Sequence, residues 1–186
     1  MVAVIEGCLR QDRECQRVLY LRNYGWALRI VFRYIGEYEE AREVVHNSFV
    51  RLFRSFDQVW QGEGETIEAR LPGWMRDGVV YAAVDWVRKR SGLEGIVSGE
   101  GGELQEIWSE SPSGEDTNER VRYKALIIQL VVLPEALRLA FNLVVIDGYT
   151  PGKAAALLGI SERRLARNLK KARYKLRAAD KSEDSE

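Results

Sequence analysis

Thr150-Pro-Gly-Lys-Ala-Ala-Ala-Leu-Leu-Gly-Ile-Ser161, continued by Glu162-Arg-Arg-Leu-Ala-Arg-Asn-Leu-Lys-Lys-Ala-Arg-Tyr-Lys-Leu-Arg177, is the stretch that decides the fold. Thr150 offers a hydroxyl to cap a helix, and Pro151 stands at the first helical position, where its missing N–H costs nothing. Counted from Pro151, the fifth residue is Ala155, the ninth Gly159 and the fifteenth Leu165. A small residue, a turn glycine and an apolar residue at those places let two helices touch closely across a tight turn. Ser161 caps the second helix, so the spacing predicts helices over 151–158 and 161–178, a helix-turn-helix.

At 100° per residue, Leu165, Leu169, Ala172 and Leu176 fall on one side of the second helix. Arg163, Arg164, Arg167, Lys170, Lys171 and Tyr174 fall on the other. Between Ser161 and Arg177 there are eight basic side chains and one carboxylate, Glu162. A solvated surface helix normally interleaves both signs, so a face of uniform sign points to nucleic acid. Arg163, Arg164, Arg167 and Asn168, near the N-terminal end, are placed to reach base edges in a major groove. Lys170, Lys171, Arg173, Lys175 and Arg177 suit phosphates.

Working outward, the net charge of zero over 186 residues hides three blocks. Residues 1–90 hold 14 bases and 13 acids, 91–119 hold eight acids and no base, and 120–179 hold 13 bases and three acids. The blocks predict a helical domain over 1–90, an acidic flexible linker over 91–118, a helix-turn-helix domain over 119–179 and an acidic tail over 180–186. The linker has six glycines and five serines from Ser91 to Asn118 and too few apolar groups to bury itself, apart from a short ordered piece expected at Leu104 to Trp108. No apolar run approaches the roughly 20 residues of a membrane span, and no signal pattern opens the chain, so no membrane insertion and a cytoplasmic location are expected. Cys8 and Cys15, read as lying on one helix, fall about 10 Å apart along its axis, too far for a disulfide, and are expected to be buried or idle thiols.

The hydrophobic period is helical nearly everywhere, predicting an all-α fold of two small helical domains, an N-terminal bundle and the helix-turn-helix. Helices are expected near 10–34, 37–56, 72–90, 119–132, 134–147, 151–158 and 161–178, with Gly36, the Gly62-Glu63-Gly64 loop and Pro72 as boundaries. In 37–56 the apolar side is Ala41, Val45, Phe49, Leu52, Phe53 and Phe56. The outer side carries Glu39, Glu43, His46, Asn47, Val50 and Arg54. Val50 is an apolar residue amid polar ones, either a partner contact or an ordinary exposed valine. In 72–90, Met75, Val79, Ala82 and Trp86 are expected to face the core. Trp74, Tyr81, Asp85 and Arg88 line another side, followed by Lys89 and Arg90. Rings beside cations suit single-stranded bases, while the alternative is a helical Asp85–Arg88 pair with both rings packed.

Together these pieces resemble a bacterial RNA polymerase sigma factor of the extracytoplasmic-function group in the sigma-70 family. The resemblance covers about residues 20–90 and 120–178. Glu40-Ala-Arg-Glu-Val-Val-His-Asn-Ser-Phe-Val-Arg-Leu-Phe53 resembles the family's polymerase-binding helix. Trp74-Met75 through Asp85-Trp-Val-Arg-Lys-Arg90 resembles the helix that melts and reads the minus-ten element. Leu133-Pro134, Gly148 through Ser161, and Leu169-Lys-Lys-Ala-Arg173 resemble the minus-thirty-five-binding domain.

The resemblance implies that Glu43, His46, Asn47 and Val50 dock on the clamp helices of core RNA polymerase. It implies that Trp74, Tyr81, Asp85, Arg88, Lys89 and Arg90 lie along the opened non-template strand and help hold a flipped base. It implies promoter DNA and an anti-sigma factor as further partners, and a linker that threads toward the polymerase active centre. The chain departs from the family at His46 and Asn47, where glutamine and an acid are common, and at Val80 and Tyr81. Its Arg163-Arg-Leu-Ala-Arg-Asn-Leu169 replaces the family's Gly-Thr-Val-Lys-Ser-Arg-Leu, which implies a promoter sequence of its own. The rival readings are a stand-alone helix-turn-helix regulator and a degenerate sigma that acts only by titrating a partner. An enzyme is the least expected class. His46 is the only histidine, neither cysteine clusters with it, and no phosphate loop or metal-ligand spacing occurs, so no cofactor is expected.

Overall fold

A computed structural model describes residues 1–57, 66–91 and 117–183. Every regular element among the described residues is helical: α1 (Val2–Leu9), α2 (Arg13–Ile35), α3 (Tyr38–Arg54), α4 (Ile67–Ser91), α5 (Thr117–Val131), α6 (Glu135–Phe141), α7 (Pro151–Leu158) and α8 (Glu162–Glu183). A π-helical turn, Asn142–Ile146, continues α6. The Gly62-Glu63-Gly64 loop and the ordered piece expected at Leu104 to Trp108 lie outside the described residues, as does most of the linker. No described helix is long and apolar enough to cross a membrane.

The described chain separates into two compact units. The first comprises 1–32, 38–57 and 66–83; the second comprises 33–37, 84–91 and 117–183. In the first, α1 stops before α2 begins, which corrects the single helix expected through both cysteines. Gln11 takes φ 60°, the Asp12 N–H donates back to the Gly7 carbonyl at 2.9 Å, and the Asp12 carboxylate accepts from the Cys15 N–H at 2.8 Å. That acceptance caps α2 and holds the Asp12 carboxyl below its usual range. The chain thus folds back, and Cys15 Sγ comes to rest 2.2 Å from where a Cβ on Gly7 would stand. Only glycine allows this approach. Both thiols are free, and burial, with Cys15 and Asp12 adding to it, pushes the Cys8 thiol up to about 11.

Aromatic rings tie α2, α3 and α4 together. From Tyr20 the chain of ring contacts runs through Phe49, Phe53 and Phe56 to Trp74, with centroid separations of 5.0, 6.0, 6.3 and 6.1 Å. Such tilted and edge-on pairs each add about 0.5–1.5 kcal/mol to the burial itself. The core side expected for α3 is found, with Phe53 half-buried, and Val44 and Ser48 join it.

Two expectations for α4 are corrected. Pro72 is inside the helix, which starts at Ile67, because Ile67 and Leu71 are buried and hold the first turns against the core despite the N–H that proline lacks. The buried face is also wider than expected. Val80, Ala83, Val84 and Val87 are buried with Met75 and Val79, whereas Ala82 and Trp86 are half-buried. With apolar groups on so many sides, the helix has no single stripe for a period to reveal.

The second unit has its apolar centre at Leu130, Leu133 and Leu137 with Ala172 and Leu176 of α8. Beside it lies a buried polar network. Arg33 pairs with Asp147, whose second oxygen accepts from the Tyr34 hydroxyl. Asn142 donates to the carbonyls of Arg33 and Arg138 at 2.9 and 3.0 Å. Arg138 donates to the carbonyls of Val131 at 2.7 Å and Ile35 at 3.0 Å, so one guanidinium caps the C-terminal ends of α5 and α2. Burial lowers the Arg138 pKa to about 10, opposed by Glu135 and reinforced by Arg90. Burial is also the largest influence on Arg33 and acts downward, but the Asp147 carboxylate with Tyr123 and Tyr34 together outweigh it and the net shift is upward. Gly36 ends α2 at φ 83°, and Arg138 Nη1 lies 2.9 Å from where its Cβ would be, so conformation and space both require glycine there. The expected end of α8 near 178 is corrected to Glu183, since nothing in Ala178 to Glu183 breaks a helix.

Candidate nucleic-acid interface

On α3 the residues expected to meet a partner lie together at the surface. Glu43, His46 and Asn47 are exposed and Val50 is half-buried. Glu43 and His46 border a depression of about 510 Å³ whose other wall is Tyr20 and Tyr24 of α2. Tyr20 meets His46 edge-on at 6.4 Å, and Arg42 is held by Glu39 at 3.0 Å and by the Tyr24 hydroxyl. The two tyrosines were missed in the sequence, where α2 carries no clean amphipathic stripe to mark an outer face.

The stripe expected on α4 is divided. In the first unit Trp74 is half-buried with its ring edge-on to the buried Phe56, and Tyr81 is 37% exposed. In the second unit Asp85 pairs with Lys89, its i+4 neighbour, at 2.8 Å. Arg88 donates to the Leu157 carbonyl at 3.2 Å, and Arg90 meets Glu135 at 3.2 Å.

The helix-turn-helix takes the geometry its spacing predicts. Thr150 Oγ1 accepts from the Lys153 N–H, Pro151 opens α7, and Gly159 sits in the left-handed region at φ 63°. The Gly159 and Ile160 N–H groups donate to Ala156 and Ala155 at 3.1 Å, closing α7. Ser161 Oγ accepts from the Arg164 N–H at 3.3 Å and opens α8. Ala154, Ala155, Leu165 and Ala172 are buried, which is the close crossing that small residues permit. The opposite face of α8 presents Arg163, Arg164, Arg167, Lys170, Lys171, Arg173, Lys175 and Arg177, all exposed, around Tyr174, itself 76% exposed.

Residues 126–176 match the family model described as sigma-70, region 4. This part of the chain is similar to a sigma-70 region 4. Among solved structures, one described as CnrH in complex with the cytosolic domain of CnrY is similar over 97% of this chain and 96% of its own, at 18% identity and a TM-score of 0.47. No curated protein matches the chain.

Helix α8 brings together seven of the expected cations: Arg163, Arg164, Arg167, Lys170, Lys171, Arg173 and Lys175. Asn168 is set apart from them. It is half-buried, and its amide reaches back toward the Ala136 carbonyl at 3.4 Å, so it lies on the flank of the basic face. A face of arginines and lysines with no intervening carboxylate lowers the potential energy of a phosphate backbone along its whole length. The network of Arg33, Tyr34, Arg138, Asn142 and Asp147 was missed in the sequence. Its only signal there is charge or amide inside apolar runs, Phe32-Arg33-Tyr34 and Leu137-Arg138-Leu139.

Proposed function

We propose that the protein is a sigma factor of the extracytoplasmic-function group, which binds core RNA polymerase, recognises promoter DNA and opens it for initiation. The observation that carries the reading is the region 4 match over a helix whose exposed face is uniformly basic. In this reading Arg163, Arg164 and Arg167 address base edges of the minus-thirty-five element, with Asn168 at the margin. Lys170 and Lys171 hold its phosphates.

Glu43, His46, Asn47 and Val50 dock on the clamp helices of the polymerase, and the tyrosine-walled depression beside Glu43 and His46 belongs to the same contact. Trp74, Tyr81, Asp85, Arg88, Lys89 and Arg90 follow the opened non-template strand. Support for this comes from the anchoring of Trp74 on Phe56, which fixes a ring for stacking, and from the cations that end α4. To meet phosphate, Arg88 and Arg90 exchange the Leu157 carbonyl and Glu135 for DNA. The exposed Arg88 contact is worth only about 0–1 kcal/mol, whereas the part-buried Arg90–Glu135 pair costs more to open. Unstacking a base costs a few kcal/mol and is offset by capture of the base and by these backbone contacts. The acidic linker runs toward the polymerase active centre, and an anti-sigma factor restrains the free protein.

Size-exclusion chromatography of the purified chain with core polymerase tests the assignment. A stoichiometric complex is expected. Duplex binding without any complex would instead establish a stand-alone helix-turn-helix regulator.

A further inference from the structure

We propose that Arg163 and Arg167 are the specificity-determining residues of α8, each gripping the major-groove edge of one guanine, so that the duplex it selects carries two guanines within three consecutive base pairs. The proposal rests on the reading of α8 as a DNA-contacting helix and adds which base it reads. Four residues apart, the two arginines lie about 40° from each other around the helix and about 6 Å from each other along it. Both are exposed, on the side opposite the buried Leu165, Ala172 and Leu176. A rise of about 6 Å is less than two base-pair steps of about 3.4 Å, which sets the spacing of the guanines. Lys170 stands about 10 Å beyond Arg163, near the far edge of a groove about 12 Å wide, and meets the backbone there.

The chemistry of this end of the helix selects the base. A guanidinium is a planar fork of donors with no acceptor. Guanine alone offers two neighbouring acceptors in the major groove, N7 and O6. Adenine sets a donor beside its N7, thymine a methyl group beside its O4, and cytosine presents a donor. Direct reading of adenine or cytosine therefore needs an acceptor on the helix, and the three side chains near its start that carry one are turned to other uses. Ser161 Oγ accepts from the Arg164 N–H at 3.3 Å. Glu162 Oε1 lies back toward α7, 3.3 Å from where a Cβ on Gly152 would stand. Asn168 is half-buried, with its amide directed to the Ala136 carbonyl at 3.4 Å. Ala166, exposed between the two arginines, has neither donor nor acceptor. Arg164 stands about 100° around from Arg163, at the flank of the pair.

The test uses the free full-length protein and a pool of duplexes of random sequence at about 50 mM salt, where phosphate contacts hold DNA of any sequence. Bound duplexes are recovered, amplified and sequenced over several rounds. The enriched element should carry two guanines within three base pairs. On that element 7-deazaguanine at either position, which removes N7 and keeps base pairing, should weaken binding about tenfold. Arg163→Lys should abolish that loss at one guanine and Arg167→Lys at the other, because lysine keeps the charge and lacks the fork. Both positions are exposed, so neither variant disturbs the core, and affinity for unrelated duplexes should change less than about twofold. An enriched element without guanine overturns the proposal, as does unchanged binding with 7-deazaguanine or a loss that persists in both lysine variants. Failure to bind any duplex overturns it too. No polymerase is present, so guanine selection without run-off transcripts would leave this proposal standing and sink the promoter reading.

Discussion

Cys8 was expected to be inert, and the fold supplies the reason. Its thiol is buried and held up at about 11 by desolvation and by the proximity of Cys15 and Asp12. At pH 8 the thiolate population is then about a hundredfold below that of a thiol at the reference 9.0, and thiolate is the reacting form. Ellman's reagent should accordingly modify Cys8 at least about a hundredfold more slowly in the folded protein than in urea, and comparable rates would contradict the burial. The sign for stability follows. A folded pKa above the unfolded one gives a contribution fully present below about 9 that is lost as pH rises toward 11. Val50 belongs to the same scale. Half-buried amid exposed polar groups, it should tolerate aspartate with less than about 1 kcal/mol of lost stability. Val50→Asp should nonetheless weaken polymerase binding at least tenfold in a titration, and unaltered affinity would remove α3 from the interface.

At the scale of elements, α8 and the α2–α6 network differ in how far the sequence reveals them. The helix-turn-helix was legible because its determinants are local. Thr150, Pro151, Gly159 and Ser161 act on their own neighbours within three or four residues, and the basic face follows from a 3.6-residue period. The network was illegible because Arg33 and Asp147 lie 114 residues apart, and no local rule says that a charge inside an apolar run has a partner. Pro72 was misread for a related reason, since burial of Ile67 and Leu71 overrides the local signal to stop. For α8, Lys170→Ala with Lys171→Ala should lower the slope of log K against log salt by about 2, equally on every duplex tested. An unchanged slope would take these lysines off the phosphates. For the network, Asp147→Asn keeps the shape but leaves Arg33 as a buried cation without its counter-charge, which should cost about 3–5 kcal/mol in urea unfolding. Replacing both, Arg33→Met with Asp147→Leu, should recover much of the loss, whereas a single-variant cost below about 1 kcal/mol would mean that the pair is not closed in solution.

Over the whole molecule the charge falls in three blocks, with near-balanced charge over 1–90, eight acids and no base over 91–119, and a strong positive excess over 120–179. The excess concentrates on one exposed face of α8, and the polar outer side of α3 lies in the other unit. Each of these surfaces was visible as a sequence period, whereas the inward attachment of Asn168 and of Arg88 and Arg90 needed three-dimensional neighbours to be seen. The central claim is that the surfaces act together as promoter grips for a polymerase. Run-off transcription from genomic fragments, with core polymerase and the purified chain, tests it most directly. The account predicts discrete transcripts from a limited set of fragments that appear only when this protein is added; no initiation on any fragment, with duplex binding intact, would contradict it.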